Sequence, residues 1–176
     1  MEASDSRHAL RAQVVALRFR CIALAIGVSL LLATQGCASL KNTFYSFAFD
    51  MDADDQDAVV LDYRYTLNGQ TIVGASKDVL REGLPFHRES VFGQMPRGDA
   101  LYFKWKIRST NSIFEKTVDL RGRLPADLSK DRIFVMVRGS ELLIYLIHDE
   151  LRSPEAPEIG PRTFHSYRTE LIARQM

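Results

Sequence analysis

Five aspartates, Asp50, Asp52, Asp54, Asp55 and Asp57, fall within eight residues of this 176-residue chain, three of them at alternating positions. Oxygen ligands spaced in this way suit a hard cation, so Asp50, Asp52 and Asp54 are candidate calcium ligands. The helix–loop–helix calcium pattern also needs glycine at its sixth position and glutamate at its twelfth, where this chain has Asp55 and Leu61. A solvated acidic loop between two strands is therefore the preferred reading, with a protein-facing acidic patch as its functional variant. His87, His148 and His165 could supply acid–base or metal chemistry, but tens of residues separate them and no local spacing joins them. Neither Gly74-Ala75-Ser76 nor Arg138-Gly139-Ser140 completes a nucleophile elbow, and no glycine-rich phosphate loop is present. The expectation is a protein without catalysis and without a cofactor.

Thiol chemistry is different. Cys37 closes the run Ala33-Thr34-Gln35-Gly36-Cys37, after a leader carrying Arg7, Arg11, Arg18 and Arg20 and an uncharged stretch from Cys21 to Thr34. Fourteen helical residues rise about 21 Å, short of the roughly 30 Å a spanning helix must cross. A cleaved export signal fits better than a transmembrane anchor. The small residue before a nucleophilic cysteine resembles the signal of bacterial lipoproteins, although Thr34 stands where that pattern prefers a larger aliphatic residue.

This resemblance implies a signal peptide over residues 1–36, palmitate-type acylation at Cys37 and a short tether over 37–43. It also implies the outer membrane as address, periplasmic face, because Ala38 and Ser39 follow the cysteine where aspartate would favour inner-membrane retention. Multiple acyl chains make such an anchor effectively permanent. The membrane is one expected partner and an envelope protein the other.

Removing residues 1–36, with four basic and two acidic side chains, changes the whole-chain totals of 23 and 22 to 19 and 20. That balance lacks the basic excess of nucleic-acid binders. Cys21 leaves with the leader and Cys37 carries lipid, so no thiol remains for a disulfide, a zinc site or a nucleophile. Stability must come from packing, and 140 residues suffice for one domain.

The elements that would position these groups read as strands. Val59, Leu61, Tyr63, Tyr65 and Leu67 alternate with polar residues, and Asn68-Gly69 follows as a type I′ turn into Thr71-Ile72-Val73. Leu101, Phe103, Trp105 and Ile107 form a second alternating face against Tyr102, Lys104, Lys106 and Arg108. This stripe is a candidate docking face for an acidic partner, so Lys104, Lys106 and Arg108 are candidate partner-binding residues. Its simpler reading is a solvent face with charges guarding an edge.

Ser109 to Ser112 should turn the chain back into Ile113 to Leu120. Ile133 to Val137 and Leu142 to Ile147 are apolar on both faces, which predicts the centre of a sheet covered on both sides. Tyr45, Phe47, Phe49 and Met51 mark a first strand and Thr163 to Ile172 a last one, with a proline-rich surface connection over 153–161. Lys77 to Arg81 is a short helical turn. Arg97-Gly98-Asp99 could serve adhesion, but the same residues make an ordinary turn.

The expected fold is all-β: an antiparallel β-sandwich of about seven to eight short strands over residues 44–176, after an N-terminal signal helix. Its plan resembles small lipoproteins with transthyretin-like sandwiches that serve secretion systems, and lipid-anchored immunity proteins. That resemblance implies a non-catalytic, protein-binding module of the cell envelope. The alternative is a periplasmic hydrolase or ligand- or metal-binding lipoprotein in which folding brings His87, His148 and the aspartate run together.

Overall fold

The computed structural model describes residues 42–176, so the leader and Cys37 lie outside the described residues. Nine strands follow in order: β1 (Asn42–Asp50), β2 (Ala58–Leu67), β3 (Gln70–Gly74), β4 (Arg88–Pro96), β5 (Ala100–Ile107), β6 (Ile113–Asp119), β7 (Arg132–Arg138), β8 (Glu141–Leu151) and β9 (Tyr167–Gln175). A short helix, α1 (Lys77–Glu82), joins β3 to β4, and a 3-10 turn at Arg162–Phe164 precedes β9. The strands form one sheet ordered β4-β1-β7-β8-β9 and another ordered β3-β2-β5-β6. All neighbours are antiparallel except β1 and β7, which run parallel. The fold is an all-β sandwich.

Alternation places the core. Tyr45, Phe47 and Phe49 of β1 face Tyr63 and Tyr65 of β2 and Leu101, Phe103 and Trp105 of β5, all essentially without exposure. Phe47 stacks on Tyr65 with ring centroids 5.5 Å apart, and Phe49 meets Phe103 edge-on at 5.4 Å. Buried polar tips find partners: Trp105 Nε1 donates to the Gly139 carbonyl at 2.9 Å, and the Tyr45 hydroxyl to the Pro96 carbonyl at 2.6 Å. Burial raises the pKa of both Tyr45 and Tyr63, so neither titrates in the physiological range.

Turn chemistry behaves as its residues require. Asn68 and Gly69 both take positive φ in the β2–β3 hairpin. Gly98 is held against the Tyr65 ring, where any Cβ would collide with the ring and the Thr66 carbonyl, and its N–H donates to the Tyr65 hydroxyl at 2.7 Å. Arg97 donates to the Leu124 and Pro125 carbonyls, and Asp99 accepts the Asn68 N–H. The Arg-Gly-Asp tripeptide is thus built into the fold.

Three details depart from the sequence reading. A bulge between Val60 and Asp62 reverses the parity of β2, so Ala58 and Val60 point inward before it and Tyr63 and Tyr65 after it. Leu61 is left half-buried. Second, β4 is an additional edge strand, inconspicuous in sequence because Gly93, Ser90 and Gln94 dilute its pattern and only Met95 is fully buried. Third, the last strand begins at Tyr167 rather than Thr163, after the 3-10 turn.

The doubly apolar strands β7 and β8 lie beside each other in the middle of the five-stranded sheet, as their composition requires. Their outer faces form a second cluster of Ala48, Phe134, Met136, Leu143, Tyr145 and Ile147, with Phe164 of the β8–β9 connection packed on it.

Candidate functional site

The aspartate run forms the connection from β1 to β2 at one end of the sandwich. Asp50 accepts the N–H groups of Asp52 and Ala53 through one carboxylate oxygen, at 3.0 and 3.1 Å, and so turns the chain. Asp54 and Asp55 both adopt left-handed backbone, φ 59 and 55, a conformation that side chains other than glycine adopt at a cost. Surrounding bonds hold them there. Gln56, buried in spite of its polarity, donates to the Asp50 carbonyl at 2.7 Å and accepts the Val137 N–H at 2.8 Å.

Arg108, immediately after β5, reaches into this loop. Its guanidinium donates to the carbonyls of Met51 (3.0 Å), Gln56 (2.9 Å) and Ala58 (3.1 Å) and to the Asp52 carboxylate (3.3 Å). Carbonyl and carboxylate oxygens converging on one positive charge are what a hard cation would seek. Here a side chain supplies that charge. Arg108 is therefore tied into the loop, away from the stripe in which sequence grouped it with Lys104 and Lys106.

The other carboxylates are spent separately. Asp54 accepts the Arg162 N–H, Asp55 pairs with the Arg162 guanidinium at 2.8 Å, and Asp57 accepts the Ser109 hydroxyl and N–H. His87 reaches Asp52 at 3.4 Å. Asp50, Asp52 and Asp54 thus share a loop without pointing at a common centre. Among the described residues, no group of three or more His, Cys, Asp or Glu side chains converges as metal ligands would.

Lys104 and Lys106 lie on the outer face of the four-stranded sheet. Lys104 pairs with Glu115 at 3.5 Å, which also accepts the Tyr102 hydroxyl, while Arg64 sits over the Tyr102 ring at 4.3 Å and contacts Asp62. The face is a lattice of compensated charges. Lys106 alone of the two lysines has no ion pair among the described residues.

A second polar cluster lies at the opposite end. His148, inside β8 three residues before its end, places Nδ1 3.2 Å from the Asp131 carboxylate, and Glu170 of β9 stands 3.9 Å from its Nε2, which is buried without a hydrogen-bond partner. Burial raises the Asp131 pKa, partly offset by His148. Beside the pair, Lys130, Arg132, Thr163, Phe164 and Tyr167 line a depression of about 140 Å³. Arg132 donates to the Ser46 hydroxyl at 3.0 Å and lies over the Phe164 ring at 4.6 Å.

Folding thus unites His87 with Asp52 but keeps His148 and His165 apart from them. His165 contacts the Arg162 carbonyl and Ser166 instead. Sequence reading missed Gln56, Arg162 and Arg132. An isolated Gln or Arg carries no pattern, and only Gln56's position inside the aspartate run could have marked it. No family model, curated protein or solved structure matches this chain.

Proposed function

We propose that this chain is a lipid-anchored envelope protein, acylated at Cys37 and held at the periplasmic face of the outer membrane, whose sandwich binds a protein partner without catalysis. The observation that carries this reading is a core filled by aromatic and aliphatic side chains from both sheets, with the charged clusters turned outward. Such a body offers faces and loops for recognition rather than an enclosed reaction chamber. Its most preorganised charged surface is the Asp50–Asp57 loop, fixed by Arg108 and Gln56, which suits a basic partner segment. Secretion-system or immunity partners belong to this class.

Two measurements test it. Changing Cys37 to Ser should abolish palmitate labelling and release the protein from membranes, and retention in the membrane fraction would overturn the anchor. Replacing Asp52, Asp55 and Asp57 by Asn should weaken capture of the envelope partner about tenfold or more, as loss of facing charge pairs does. Unchanged capture would remove the loop from the interface.

The alternative, a periplasmic hydrolase or ligand-binding lipoprotein, has one observation in its favour. The Asp131–His148 pair holds an imidazole in one orientation beside a groove that Lys130, Arg132 and Thr163 line.

A further inference from the structure

Large apolar side chains stand in solvent along the edge of the five-stranded sheet, from the end where β1 begins to its midpoint. Phe44 is 55% and Phe92 73% exposed, their ring centroids 6.3 Å apart. Register fixes their place. Ser46 lies opposite Phe92 on β4 and opposite Arg132 on β7, and Arg132 lies opposite Ile147 on β8. Because β8 runs against β1, Leu151, four residues past Ile147, projects toward the same end, and it is 77% exposed.

Lys130 joins this group, its N–H donating to the Phe44 carbonyl at 2.8 Å, and it forms no ion pair among the described residues. The carboxylates at this end include Asp131, facing His148, Glu150, paired with Arg168, and Asp149, which lines the groove beside them. Charge is nearly balanced here, so exposed aromatic surface is the larger signal.

The length of chain before β1 says what covers it. Cys37 precedes Phe44 by seven residues, a reach of at most about 25 Å at roughly 3.5 Å per residue. A protein held by lipid at Cys37 must keep the start of β1 within that distance of the bilayer. The Asp50–Asp57 loop sits at the other end of β1, about 20 Å from Phe44 and about 13 Å from Ser46, the residue opposite Phe92, at roughly 3.3 Å per residue, and anionic headgroups repel it. Both constraints select one orientation.

We propose that this edge of the sandwich, from the start of β1 to its midpoint, lies on the membrane surface, with the phenyl rings of Phe44 and Phe92 in the lipid interface and Lys130 among anionic headgroups. Aromatic side chains beside a cation favour that depth. The inference rests on the acylation of Cys37 in tethering the domain, and the orientation adds a second contact to the lipid anchor.

The test places a diazirine phenylalanine at position 92 or, as control, at position 113 in the full-length chain expressed in bacterial cells. Ile113 is as exposed as Phe44 but starts β6 at the far end. Irradiated cells are scored for phospholipid adducts by mass, and the same cells for palmitate on Cys37. The expected result is several-fold more lipid adduct at 92 than at 113. Equal or absent adducts at 92 with Cys37 acylated would overturn the docking and leave the anchor intact. Loss of palmitate overturns the anchor, and lipid adducts at 92 would then still support docking through the rings alone. Adducts at 92 with a protein in place of lipid would also overturn it.

Discussion

The two ends of the sandwich are built from the same strands and finished in opposite ways. At the far end the β1–β2 connection is acidic, and nearly every carboxylate has a defined partner. Arg108 gathers three carbonyls and Asp52, while Arg162 holds Asp54 and Asp55. From the near end to mid-strand, Phe44, Leu151 and Phe92 stand exposed without an element of the described residues covering them. A strained, tightly bonded loop and an open apolar rim present different surfaces to solvent, one charged and the other aromatic. The lesson is that strand order sets the body while the ends carry the chemistry.

Arg108 should give the largest test of this contrast. Arg108→Met removes a guanidinium from three carbonyls and a carboxylate, and should cost about 2–3 kcal/mol by the scale of hydrogen bonds to charged groups. Hydrogen exchange should quicken over Asp52–Asp57 and stay unchanged at the start of β1. Equal loss of protection at both ends would mean that the ends are one cooperative unit.

A smaller effect of opposite sign is expected at Asp55. Asp55→Gly relieves the left-handed strain and sacrifices only an exposed ion pair, so denaturant unfolding should show a gain of about 0.5 kcal/mol. A loss would show that the Arg162 pair holds the loop more firmly than its exposure indicates.

The smallest effect concerns protons at the near end. Hydrogen bonds from Arg121 lower the Asp119 pKa to about 2, whereas burial raises that of Asp131. The signs differ accordingly. Asp119 contributes stability that is present above the ordinary carboxylate range and lost as pH falls toward 2. Asp131 contributes below that range, and its contribution is lost as pH rises through its raised value. An NMR titration should return the Asp119 midpoint to the ordinary range in Arg121→Gln, leaving Asp131 where it is.

Much of the body was legible from residue order. Alternation in Leu101 to Ile107 and the Asn68-Gly69 turn specify a strand and a hairpin by local physics alone, and both stand as read. The bulge at Val60–Asp62 was hidden because it answers to a bridge with Phe86, more than twenty residues away. Edge strand β4 escaped notice for a related reason, since an edge is stabilised by its neighbour's hydrogen bonds rather than by its own apolar face.

The candidate site divides in the same manner. The aspartates were visible as a cluster, but what each carboxylate holds depends on Arg108 and Arg162, which arrive from distant segments. His148 stood out in the sequence and Asp131 did not, and only the β7–β8 register sets them face to face.

By itself the sequence determined the all-β class, the aromatic core and the two-faced burial of β7 and β8. Periodicity, turn residues and composition are local properties, so local sequence suffices to set them. Tertiary structure alone decided that Arg108 would occupy the centre of the acidic loop and that Phe44 and Phe92 would meet on one exposed sheet edge. Those are facts of register between segments far apart in the chain, and register follows from how whole faces pack together.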